Sequence, residues 1–180
     1  MRVIGLDLSL TSTGVCKANA VQGTMSHIIR TTNRLSRYER LAKIRDSVLD
    51  TVGDAGLVVV EELPSHGPNN ATIVRLGELH GVIGTALHEW SVPVARVAVS
   101  SLKKYATGKG NAKKTDLRMA ALKRFGIEFD SDDECDAFFL AMMGLESFGI
   151  PVLGLEGKAL PQANRDALEK VEWPQLREAR

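Results

Sequence analysis

Before residue 31, apolar positions fall in short runs, and after residue 36 they recur at helical intervals. The first run is Val3-Ile4-Gly5-Leu6-Asp7-Leu8, followed by runs over 14–20 and 25–31, with Thr11-Ser12-Thr13 and Gln22-Gly23 between them. This predicts three short strands joined by tight turns. Over 36–52, Leu41, Ile44, Val48 and Val52 keep helical spacing. Leu57-Val58-Val59-Val60 is a continuous, mostly β-branched run, predicted to be a buried strand. It stops at Glu61-Glu62-Leu63-Pro64, where proline cannot donate to a ladder. A long helix is predicted over 70–90, with a stripe of Ile73, Leu76, Leu79, His80, Ile83 and Leu87. A strand follows over 93–99. Short helices over 100–105 and 113–125 flank a loop at Gly108-Lys109-Gly110-Asn111. A helix over 131–148 starts at Ser131, three residues before Glu134, in capping-box spacing.

Three strands, then helices alternating with strands, predict an α/β fold. Its five-stranded sheet is mixed, an antiparallel meander followed by parallel strands, with helices on both faces. After Gly149-Ile150-Pro151 the pattern changes to a loop punctuated by Gly154 and Gly157. An amphipathic helix is predicted over 161–171, ended by Trp173-Pro174. The expected division is a domain over 1–150 and an extension over 151–180, which suits 180 residues.

Cys16 and Cys135 are too few and too far apart for a disulfide framework or a CxxC metal site, so they read as reduced thiols. Asp7 interrupts any signal-peptide core, and no apolar stretch approaches the roughly 20 residues of a membrane span. The expected compartment is the cytoplasm, or the host cytoplasm for a phage-encoded chain. His80 and His88 read as interface or surface residues, Trp90 and Trp173 as packing residues, and His66 as a candidate DNA contact.

The net charge of +1 conceals segregation. Between 96 and 124 stand Arg96, Lys103, Lys104, Lys109, Lys113, Lys114, Arg118, Lys123 and Arg124, against one acid, Asp116. A second basic run holds Arg30, Arg34, Arg37, Arg40, Lys43 and Arg45. The acids gather at Glu128, Asp130, Asp132, Asp133, Glu134 and Asp136. Basic stretches suit phosphates, and an acidic knot suits a divalent cation.

Several carboxylates stand where an uncompensated charge is costly. Asp7 lies within an apolar strand. Glu61 and Glu62 end another and point to opposite faces, so one of them can join a given site, and spacing does not choose which. Asp133 and Asp136, at i and i+3, share a helix face. Oxygen ligands without His or Cys select magnesium or manganese. Two such ions about 3.5–4 Å apart are a general device for in-line phosphodiester hydrolysis. Neither Tyr38 nor Tyr105 has a nucleophile's setting.

With these motifs the chain resembles the RuvC-type Holliday-junction resolvases of the RNase H-like nuclease superfamily. Ile4-Gly5-Leu6-Asp7-Leu8-Ser9 through Gly14 resembles the family's opening catalytic strand. Val59-Val60-Glu61-Glu62 resembles the strand bearing the catalytic glutamate, and the match puts that role at Glu61. Residues 70–84, with Leu76-Gly77-Glu78-Leu79-His80-Gly81-Val82, resemble the long helix that follows. Asp133-Glu134-Cys135-Asp136-Ala137 resembles the D-x-x-D-A of the last catalytic helix. Residues 108–115 look like the lysine-bearing segment, with Lys114 in the best register and Lys113 the competitor.

The resemblance, over residues 2–148, implies a magnesium-dependent endodeoxyribonuclease of DNA recombination and repair. It would carry two Mg2+ per site, with Mn2+ as a substitute. It would act as a homodimer on four-way junctions and leave 5′-phosphates. Asp7, Glu61, Asp133 and Asp136 would be both catalytic residues and metal ligands. Lys103, Lys104, Lys109, Lys113, Lys114 and Arg118 would contact DNA.

One departure is that Leu63-Pro64-Ser65-His66-Gly67-Pro68 lacks the aromatic that the family often carries after the glutamate. That leaves a nuclease of flaps and forks as a variant reading. Two rival classes remain. An actin/hexokinase-type ATPase also opens on a strand bearing an Asp, but no second glycine-rich phosphate loop follows here, and Gly108-Lys109-Gly110 lacks Walker spacing. A non-catalytic junction binder would set these carboxylates against phosphates with nothing to offset the repulsion.

Overall fold

The computed structural model describes residues 1–63, 69–150 and 160–176. His66 and the Pro64–Pro68 stretch, like the Gly154 and Gly157 loop, lie outside the described residues. The elements are β1 (Arg2–Asp7), β2 (Ser12–Asn19), β3 (Gly23–Arg30), α1 (Arg37–Val52), β4 (Leu57–Glu61), α2 (Asn70–Glu89), β5 (Val94–Val97), α3 (Val99–Thr107), α4 (Lys114–Phe125), α5 (Asp132–Ser147), α6 (Gln162–Arg165) and a 3-10 turn, Leu168–Lys170. The sheet order is β3-β2-β1-β4-β5. The first three strands pair antiparallel, while β1, β4 and β5 run parallel. This is the mixed five-stranded sheet that the hydrophobic pattern predicts.

Strand alternation sorts the core into two layers. Ile4, Leu6, Val15, Val58 and Val60 pack against Leu41, Ile44 and Val48 of α1 and Leu79, Ile83 and Leu87 of α2. Val3, Cys16, Ala18, Leu57 and Val59 pack against α5, with α3 and α4 beside it. Helix α5 is buried along nearly its whole length, from Cys135 to Leu145. It approaches the sheet so closely that a Cβ on Gly5 would overlap the carbonyl oxygen of Ala137, and one on Gly14 would overlap that of Asp133. Glycine at these two positions is what lets the helix backbone reach the strands.

Local chemistry explains the helix starts. Ser36 accepts from the Glu39 amide, and the Glu39 carboxylate accepts from the Ser36 amide at 2.7 Å, a complete capping box for α1. Asn69 accepts from the Thr72 amide at 2.7 Å and starts α2.

Three expectations are corrected. Helix α5 begins after Ser131, but the Ser131 hydroxyl caps no amide; Asp132, Asp133 and Glu134 offset the dipole in the first turn instead. The helix expected over 161–171 is two shorter pieces. Bonds from the Ala167 amide to Asn164 O (3.1 Å) and from the Val171 amide to Leu168 O (3.2 Å) span three residues, tightening the chain so that Asn164, Ala167 and Val171 all reach the interior. Trp90 is 52% exposed and packs no core, because it falls just past the end of α2. Trp173 does pack: its ring meets Phe148 edge-on at 6.1 Å, and its indole N–H donates to Leu168 O at 2.9 Å.

Both cysteines are buried free thiols. No described helix is long and apolar enough to cross a membrane.

Candidate metal centre

Register builds the site. β1 and β4 run parallel with Gly5 opposite Val59 and Leu6 opposite Val60, so Asp7 and Glu61 come next on both strands. Alternation puts them on the α5 face with Val3, Gly5, Leu57 and Val59, and sends Glu62 to the other side. Sequence spacing left Glu61 and Glu62 open, and pleat geometry chooses Glu61. Asp7 also stands opposite Gly14 of β2, under the first turn of α5. The i, i+3 spacing of Asp133 and Asp136 then turns both toward Asp7.

The four carboxylates line one cavity of about 220 Å³ together with Lys103, Lys114, Val99, Leu102 and Leu117. The apolar wall and Ser12 carry no sequence signal of their own. Ser12 donates its hydroxyl hydrogen to Asp133 Oδ2 at 2.6 Å and so orients that carboxylate. Roomier cavities of about 640 and 740 Å³ lie elsewhere. The first balances Glu62 and Glu172 against Arg96 and Lys170, and the second sets Glu78 and Glu89 against Arg45; neither gathers four carboxylates.

The electrostatics of the small cavity are unusual. Burial, and then the charges of Glu61, Asp136 and Asp133, hold the Asp7 carboxyl well above the ordinary range. Burial and the Asp136 charge push Glu61 up to about 7, against Lys114 and Lys103. Burial pushes Asp136 up to about 6; Lys114 opposes this, and Asp132 and Asp133 add to it. Lys114 loses from burial, but Asp136, Asp7, Asp132 and Asp133 outweigh that and hold its ammonium above its usual range. Its Nζ lies 4.0 Å from Asp136 Oδ2 and 3.9 Å from Asp132 Oδ2.

Four carboxylates face two ammonium groups across this cavity, an excess of negative charge that divalent cations would neutralise. The donor set is all oxygen, as magnesium and manganese require. The four line the wall without meeting at a point: among the described residues, no three Asp, Glu, His or Cys side chains are close enough to hold an ion as they stand. Like charges at close quarters repel, and a cation between them removes that repulsion.

The basic residues divide into two groups. Lys103 and Lys114 line the cavity, and Lys109 and Lys113 are exposed on the adjoining loop. Lys113 is the N-cap of α4, its amide donating to Asp116 Oδ2 at 2.8 Å, so Lys114 is the lysine turned toward the carboxylates. Lys104 pairs with Asp166 at 3.4 Å, and Arg118 with Asp132 at 3.2 Å. Three residues of the second basic run have partners within the chain, while Arg30, Arg34 and Lys43 are exposed. Arg37 pairs with Glu78, Arg45 with Asp46 at 2.7 Å, and Arg40 donates to Leu10 O at 2.8 Å.

Two adjacent central strands each end in a carboxylate, and a helix bearing two more lies across them. That arrangement, on a mixed sheet in this order, is an RNase H-like fold with a carboxylate site suited to a metal-dependent nuclease. The family described as crossover junction endodeoxyribonuclease RuvC matches residues 3–143. The chain is a member of the RuvC family. It is 28% identical over 126 residues to the RuvC of Paramagnetospirillum magneticum, covering 66% of this chain and 75% of that one. It is 30% identical over 147 residues to that of an Anaeromyxobacter species, covering 74% and 71%. The structure of Thermus thermophilus RuvC in complex with a Holliday junction substrate shares the fold, with a TM-score of 0.68 at 22% identity, covering 79% of this chain and 91% of that one.

Proposed function

We propose that Asp7, Glu61, Asp133 and Asp136 cut phosphodiester bonds of four-way DNA junctions by two-metal hydrolysis, with Mg2+ as the ion and a homodimer as the acting form. The observation that carries this reading is the shared cavity of four carboxylates with Lys103 and Lys114 on its wall. Bound magnesium would supply a nucleophile at neutral pH and offset the charge that develops on the leaving oxygen.

The chain's own residues do the rest. The Asp7, Glu61 and Asp136 carboxyls, raised by burial and mutual charge, become fully ionised ligands when cations replace their protons. Ser12 holds the Asp133 oxygen in place. Lys103 and Lys114 hold non-bridging phosphate oxygens and keep the scissile phosphate against the acids. Water attacks phosphorus, the bond to the 3′-oxygen breaks, and the products are a 5′-phosphate and a 3′-hydroxyl. Val99, Leu102 and Leu117 keep bulk water from the inner wall.

The test is incubation of the wild type and Asp7→Asn with labelled four-way junction, flap, fork and linear duplex, in magnesium and in EDTA. The expected result is paired symmetric cuts in the junction, absent in EDTA. Asp7→Asn should lower the rate on the order of 10³-fold, the scale of losing a principal electrostatic stabiliser. Equal cutting of flaps and forks would favour the broader branched-DNA reading, which the lack of an aromatic from Leu63 to Pro68 supports. Binding without any cutting would sink the proposal.

A further inference from the structure

Four elements meet at Tyr105. Its buried hydroxyl donates to Glu146 Oε2 of α5 at 2.7 Å. Its carbonyl, near the end of α3, accepts from Arg124 Nη1 of α4 at 3.3 Å and from Asn164 Nδ2 of α6 at 2.7 Å. The same Asn164 amide reaches Lys104 O at 3.4 Å. The last carbonyls of a helix lack intrahelical partners, and Asn164 satisfies that of Tyr105 from outside; Lys104 O already accepts from the Gly108 amide at 2.7 Å, and Asn164 reaches it as a second, longer donor.

Asn164 is 3% exposed, so nothing in solvent replaces it when it is removed. Around it, Asp166 pairs with Lys104, and Ala167 and Val171 enter the core cluster that holds Leu102 and Tyr105. Asn164, Asp166, Ala167 and Val171 belong to residues 160–176, beyond the 3–143 that the family match covers.

What α3 does on its other side gives this packing a function. Val99, Leu102 and Lys103 lie on the cavity wall. The chain then turns at Gly108, in the left-handed region at φ 82°, and enters α4 with Lys114 in its first turn. Tyr105 therefore links the lysine wall, through α3 and α4, to the helix that carries Asp133 and Asp136.

We propose that Asn164 is a positioning residue: through the Tyr105 and Lys104 carbonyls it fixes the end of α3, so that Lys103 and Lys114 are held facing the carboxylates across the cavity. Lys104 then anchors residues 160–176 rather than DNA. The inference rests on the reading of this cavity as the DNA-cutting site.

The test uses the full chain as wild type, Asn164→Ala, Lys103→Ala and the double variant. In the free protein, Asn164→Ala should speed amide exchange about tenfold over residues 103–114 while β1 and β4 stay protected. Junction binding, measured with calcium in place of magnesium, should weaken about 3–10-fold, the worth of one hydrogen bond. KM should change more than kcat. Because Asn164 acts in part through Lys103, its loss should be less than additive in the Lys103→Ala background.

A fully additive loss, exchange rising evenly across the sheet, or unchanged binding would each overturn the proposal. If Asn164→Ala fails to fold, Asp166→Asn breaks the neighbouring Lys104 link at a half-buried position. It should shift exchange and binding the same way, more weakly, and no shift in either would overturn the proposal. Exchange and binding need no cleavage, so a wild type that binds junctions without cutting them counts against the proposed function alone.

Discussion

Glu61 and Asp136 carry their protons to about 7 and about 6, where a carboxyl in an unfolded chain releases its proton near 4. Between those values the folded state binds more protons than the unfolded one, so stability without metal falls as pH rises. In EDTA, the melting midpoint should be higher near pH 5 than near pH 7.5. Excess magnesium should raise the midpoint most at the alkaline end, where the ligands are already ionised. A midpoint in EDTA that climbs across this range would show that these carboxyls are not raised.

Ser12 belongs to the same scale. Its bond to Asp133 Oδ2 is the kind of support that orients a ligand. Ser12→Ala should weaken metal affinity about 10–100-fold, read by calorimetric titration, with the melting curve in EDTA little changed. Unchanged affinity would remove Ser12 from the site.

At the scale of elements, the determining contact is between α5 and the two strands beneath it. A side chain on Gly5 has no room under the Ala137 carbonyl. Gly5→Ala therefore forces α5 off β1 and carries Asp133 and Asp136 away from Asp7. The expected cost is about 1–3 kcal/mol or more from overpacking. That lowers the melting midpoint by roughly 2–4 °C per kcal/mol in a chain of this size, and cutting falls with it. A variant that melts and cuts like wild type would contradict the close approach.

On the whole molecule, charge is distributed by face rather than by amount. Arg37, Arg40 and Arg45 are spent on internal partners. Lys103 and Lys114 at the cavity, with Lys109 and Lys113 exposed beside it, form the surface on which phosphates would lie. Junction affinity should fall steeply with salt. Replacing both Lys109 and Lys113 with alanine should reduce the slope of log K against log salt by about 2, nearly one unit per lost phosphate contact. A slope that does not respond would place the DNA elsewhere.

Much of this was legible along the chain. The runs at 3–8 and 57–60 and the helical spacing at 36–52 determine their elements, because strand and helix periods are local properties. Asp7 and the Asp133–Asp136 pair were legible too, since a charge inside an apolar strand and two acids one turn apart are visible in order alone. Local rules failed at Ser131, where the first-turn carboxylates offset the dipole instead of the serine, and over 161–171, where burial of Asn164, Ala167 and Val171 tightens the chain. Three matters that spacing left open were decided by tertiary structure: Glu61 over Glu62 on the cavity wall, by parallel register with β1, and Lys114 over Lys113, by the docking of α4, both in line with the family resemblance; and the partnership of Asn164 with Tyr105. The physical reason is common to all three. Sequence order sets which way a side chain points relative to its own backbone, but which charges share a cavity depends on how separate elements pack.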